Sequence, residues 1–162
     1  MTKLISLIDL LILVCLYFFF ILPKLQLKSR RERTIGTLFY IYLCIVFALT
    51  LVPIIPTYDA PSINLIPFRD CLFQFGDYAR QIILNILLFI PLGIFLPYFT
   101  KKNFIKTVTY CAVISLFIET AQPWITLYRV CDITDLITNT LGAALGYNIY
   151  AVYKKITTKK KD

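Results

Sequence analysis

No histidine occurs anywhere in this chain of 162 residues. That removes the commonest general base, metal ligand and pH switch at once. Acids are scarce as well, nine Asp plus Glu against 17 Lys plus Arg. The five cysteines, Cys15, Cys44, Cys71, Cys111 and Cys131, stand singly. With no CxxC pair, a zinc or dithiol motif has no support. Their odd number argues for lone thiols, with a Cys71–Cys131 bridge as the open alternative.

Apolar residues are what the chain has in excess. They make up 59% of it, with a mean hydropathy of +0.75, where a soluble domain holds about 45–50%. The expected fold is all-α, an integral membrane bundle of about five transmembrane helices. Residues 1–162 form one transmembrane domain, leaving no room for a soluble domain of ordinary size. A net charge of +8 on a soluble chain would suggest nucleic acid. Here the basic residues fill short loops between apolar runs, so the membrane surface is the expected partner and nucleic acid is not.

Five apolar runs can be read off: Leu4–Leu22, Ile35–Ile55, Arg80–Phe99, Thr107–Ile125 and Ile133–Val152. The first has only Lys3 before it and no small-x-small cleavage site after it, so it reads as a retained helix and not a leader. The last residues, 153–162, read as a basic disordered tail. Thirteen of the 17 basic residues lie between the first two runs, in the Lys101–Lys106 loop or in the tail. By the positive-inside rule those regions face the cytoplasm. The N-terminus and the loops 56–79 and 126–132 then face outward.

The last run is unusual. On a helix, Asp132, Asp135, Asn139, Gly142 and Gly146 fall within an arc of about 80°. Gly142 and Gly146 form a GxxxG pair, which lets another helix approach closely. Asp132 suits an N-cap, but capping leaves Asp135 and Asn139 unexplained. The stripe is either a functional polar face or capping combined with packing. Ser115, Glu119 and Gln122 share one face of the fourth run, and Gln81 and Asn85 are neighbours on the third. Asp9, Asn85, Glu119 and Asn139 all sit roughly 7–9 Å below the outer surface at the helical rise. Ionisable groups at such depths are costly and mark sites or buried ion pairs. The expected pocket opens outward and is lined by Arg80, Asn85, Glu119, Gln122, Arg129, Asp132, Asp135 and Asn139. No resident metal or cofactor is expected.

Four motifs carry a family resemblance: SINLIPF followed by Arg69, NILLFIPLGIFLP at Asn85–Pro97, SLFIETAQ at Ser115–Gln122, and RVCDITDLITNTLGAALG at Arg129–Gly146. Their order and content resemble the VanZ-like family of small bacterial membrane proteins, with the core of the match over 62–150. The family pattern is kept at Glu119, Gln122, Asp132, Asp135, Asn139 and Gly142. The resemblance implies a link to teicoplanin-type glycopeptide resistance. It supplies a phenotype and not a reaction. The leading expectation is a non-enzymatic envelope protein that binds an amphiphile, either a lipoglycopeptide or a lipid-linked cell-wall precursor. The alternatives are an enzyme with Glu119 or Asp132 as base on a lipid-linked substrate, and a small transporter with Glu119 as proton carrier.

Overall fold

Three of the four long helices among the described residues begin at a short polar residue whose side chain accepts from the first turn. The computed structural model describes residues 12, 29–51, 62–73, 76–125 and 129–159. Helix α1 is Arg30–Leu51, followed by the two-residue strand β1 (Ile63–Asn64) and the short α2 (Arg69–Phe73). Then come α3 (Tyr78–Thr100), α4 (Phe104–Ile125), β2 (Cys131–Asp132) and α5 (Ile133–Lys159). The first apolar run and Asp9 lie outside the described residues, Ile12 excepted.

α1 begins five residues before the apolar run because Ser29 and Glu32 form a capping box. The Glu32 amide donates to Ser29 Oγ at 3.3 Å, and the Ser29 amide donates to Glu32 Oε2 at 3.2 Å. Asn103 caps α4, its Oδ1 accepting from the Lys106 amide at 3.0 Å. α3 ends at Lys101, in the left-handed conformation with φ 54°, where its amide reaches the Pro97 carbonyl at 2.9 Å. Pro91 and Pro97 lie within α3 and Pro123 within α4 without ending either helix. α5 runs on to Lys159, so most of the expected disordered tail is helical. No Gly or Pro interrupts that stretch, and Lys159 in the last turn suits the helix dipole.

The described residues form two units. One holds 29–51, 122–125 and 129; the other holds 62–73, 76–121 and 130–159. In the first unit, side chains bond backbone carbonyls near Leu51. Gln122 Nε2 donates to the Thr50 carbonyl at 3.1 Å, and Arg129 Nη2 donates to that of Leu49 at 3.3 Å.

The second unit is built on α3 against α5. A Cβ placed on Gly142 would run into the Ile86 carbonyl, and one on Gly146 into the Ile90 carbonyl. Gly93 returns the contact, facing the Ala143 carbonyl. Both partner pairs advance by four residues in the same direction, so α3 and α5 run parallel and touch backbone to backbone. The strands agree: β1 and β2 pair in parallel, Ile63 with Cys131 and Asn64 with Asp132.

Burial in this unit is inverted relative to a soluble protein. Thr107, Ser115, Glu119, Thr138 and Asn139 are buried, while Leu87, Ile105, Phe117 and Val152 are exposed. Buried polar groups with an apolar exterior are what a lipid solvent selects. Among the described residues α1, α3 and α4 are long and apolar enough to cross a membrane, with mean hydropathies of 2.1, 2.3 and 1.4. α5, at 27 residues, falls outside that group because of its acids, amides and threonines. Threonines are carried at little cost: Thr138 and Thr140 donate to the carbonyls of Thr134 and Leu136 within their own helix. This is an all-helical membrane protein.

Candidate functional site

The parallel packing of α3 and α5 brings their N-terminal ends together, and the β1–β2 pair lies at the same end. Asp132 is central. Its Oδ1 accepts the Thr134 amide at 2.7 Å, the expected N-cap bond. Its Oδ2 accepts from Asn64 Nδ2 at 2.8 Å, across 68 residues of sequence. Its own amide donates to Glu119 Oε2 at 3.4 Å, tying α4 to the start of α5. Asn64 is buried, and its Oδ1 accepts the Ile66 amide at 3.2 Å. The Phe68 amide, at a residue with φ 56°, donates to Thr134 Oγ1 at 2.9 Å.

One turn into α5, Asp135 is buried, and Gln81 Nε2 lies 3.4 Å from each of its oxygens. Arg80, the neighbouring residue on α3, is exposed. A further turn along, Asn139 Nδ2 donates to Ser115 Oγ at 2.9 Å, with both residues buried. Asn139 Oδ1 and Asn85 Nδ2 are buried with no hydrogen-bond partner among the described residues. They are one acceptor and one donor, each four residues on from the Gln81–Asp135 contact. Above them, Tyr78, Gln81, Asp70, Asp132, Thr134 and Asp135 line a cleft of about 20 Å³, room for about one water.

The structure thus gathers Asn85, Glu119, Asp132, Asp135 and Asn139 into one unit. Gln122 and Arg129 belong to the other unit, where both bond carbonyls of α1. Sequence reasoning passed over Asn64, Gln81, Ser115 and Thr134 as site members. A lone amide within SINLIPF was the available signal for Asn64.

Cys71 and Cys131 are both free thiols. Burial, with the Glu119 and Asp132 carboxylates nearby, pushes the Cys131 thiol above its ordinary range. Less thiolate is then present at neutral pH. In a variant retaining only Cys131, maleimide labelling should be slow at pH 7 and should still be accelerating above pH ~8.5, the ordinary thiol value. A rate that levels off below that pH would contradict the environment described.

The VanZ/LLP1 family profile matches residues 39–154. A curated relative, Protein VanZ of Enterococcus faecium, is 36% identical over 105 residues, which is 64% of this chain and 62% of that protein. The chain therefore spans less than two thirds of the relative's length. No solved structure matches it. The profile match begins within α1, ends within α5 and takes in every polar side chain of this site, and on that extent the chain belongs to the VanZ/LLP1 family.

Proposed function

We propose that this protein contributes to teicoplanin-type glycopeptide resistance by holding an amphiphile at the polar end of α3, α4 and α5. The ligand class is a lipoglycopeptide or the head group of a lipid-linked cell-wall precursor. One observation carries the reading. Beside the buried carboxylates of Glu119 and Asp135, Asn85 Nδ2 and Asn139 Oδ1 are buried with no partner among the described residues. An unpaired buried polar group costs about 1–3 kcal/mol, and a membrane interior makes such groups rarer still. A donor and an acceptor one turn beneath a cleft lined by acids suit a ligand rich in amides and hydroxyls.

The polar end faces outward in this reading. Asp132 and Asp135 lie at one end of the parallel α3–α5 pair, and Lys101, Lys102, Lys154 and Lys155 lie at the other. The lysine-rich end belongs on the cytoplasmic side. In single-cysteine variants on intact cells, a membrane-impermeant maleimide should then label Cys71 but not a cysteine placed at Ser29. Labelling in the reverse pattern would overturn the orientation and the outward site with it.

Expression in a susceptible bacterium should raise teicoplanin tolerance several-fold. The purified protein should retain the antibiotic equally with and without a chelator. Unchanged tolerance would overturn the resistance role, and turnover of a lipid precursor would replace binding with catalysis.

A further inference from the structure

The opposite end of the α3–α5 pair carries a second feature that the polar cluster does not use. The connection Lys101–Asn103 forms a ridge between two grooves. One, of about 640 Å³, is lined by Lys101, Lys102, Lys106 and Tyr110 among others. The second, of about 440 Å³, shares Lys101 and Lys102 and adds Tyr147, Tyr150, Lys154 and Lys155. Among the described residues no carboxylate lines either groove. Five ammonium groups thus surround two adjoining hollows of the size that small ligands occupy.

These lysines are not all loose surface charges. Lys102 Nζ lies 3.5 Å from the centre of the Tyr110 ring, a cation–π contact that holds its position. Tyr147 packs edge-on against Phe104 at 5.3 Å and lies 6.1 Å from Tyr150, giving the second groove a fixed aromatic wall. The left-handed backbone at Lys101 makes the turn between α3 and α4 tight, with three residues in all. Next to the grooves, Ile105 is 72% exposed, and Val152 and Ile156 are also exposed. The hollows therefore sit where lysines and tyrosines meet an apolar exterior, at head-group level for a membrane helix.

We infer that the paired grooves around Lys101–Asn103 bind the phosphate head group of an anionic phospholipid. The lysines take the phosphate oxygens, the tyrosines pack against the glycerol, and the acyl chains run down beside Ile105 and Val152. A soluble phosphate would share the first of these contacts and lack the last.

The test uses the full chain in nanodiscs of equal phosphatidylglycerol and phosphatidylcholine, released into native mass spectrometry. Phosphatidylglycerol should be retained in preference to phosphatidylcholine. Each lysine removed, as in Lys102→Gln and Lys154→Gln, should lower that preference about fivefold, the ratio one surface lysine adds to anionic-lipid attraction. Tyr110→Leu should weaken it by releasing Lys102. Lys159→Gln removes one charge from the same end of α5 without lining either groove and should lower the preference less. If Lys102→Gln aggregates, Lys154→Gln with Lys155→Gln reads the second groove through exposed positions. Equal retention of both lipids, an equal loss in the Lys159→Gln control, or displacement of the lipid by inorganic phosphate would each overturn the inference.

Discussion

Gly142→Leu should remove most of the folded protein from the membrane. The position of a Cβ at residue 142 is already taken by the backbone carbonyl of Ile86, and a carbonyl cannot rotate aside as a side-chain tip can. The same seam holds Gly93 against Ala143 and Gly146 against Ile90. Opening it at one glycine therefore loosens all three contacts. Forcing extra atoms into a packed core costs about 1–3 kcal/mol and sometimes more, and a backbone obstacle puts this case at the upper end. Whole-domain stability is only about 5–15 kcal/mol, so the loss should show as a lower membrane level on a blot and a lower unfolding temperature in detergent. Even Gly142→Ala should be measurably less stable. A Gly142→Leu protein at parental level would mean that α3 and α5 do not share this seam.

Asp135→Asn and Glu119→Gln should behave in the opposite way, with normal protein level and lost drug tolerance. Two of the bonds these carboxylates accept are long. Gln81 reaches Asp135 at 3.4 Å, and the Asp132 amide reaches Glu119 at 3.4 Å, the weak end of hydrogen bonding. Each amide replacement keeps an oxygen acceptor and nearly the same volume, so little folding energy is lost. What disappears is the second equivalent oxygen and the capacity for charge that a ligand's donors would meet. Asn139→Leu is a mixed case. It deletes the 2.9 Å bond to Ser115 Oγ and leaves that buried hydroxyl without its donor. The expected cost is about 1–3 kcal/mol, so level and tolerance should fall together. Blots beside susceptibility tests on all three variants check this. Low levels in Asp135→Asn and Glu119→Gln would make the cluster a device for helix register. Normal levels with unchanged tolerance would mean that the ligand binds elsewhere.

Helix-forming runs, their polar stripes and their caps are local properties, and these the sequence determined by itself. Hydropathy located α3 and α4 to within three residues at each end, because apolar runs and turn residues act over a few positions. Asp132 at the start of α5 was recognisable as a cap for the same reason. The start of α1 was legible too, in Ser29 and Glu32, but hydropathy alone overlooked it. GxxxG spacing showed that something should pack on Gly142, without showing what. The tertiary structure decided the rest. It chose α3 as the partner, set it parallel to α5, and joined Asn64 to Asp132 across 68 residues. It also turned Gln122 and Arg129 toward carbonyls of α1, although both share a stretch of chain with the acids. The physical reason is that a helix period states which residues share a face, whereas the partner of that face depends on how distant backbones fit. Steric closeness between Gly142 and Ile86 leaves no mark at either position beyond the missing side chain.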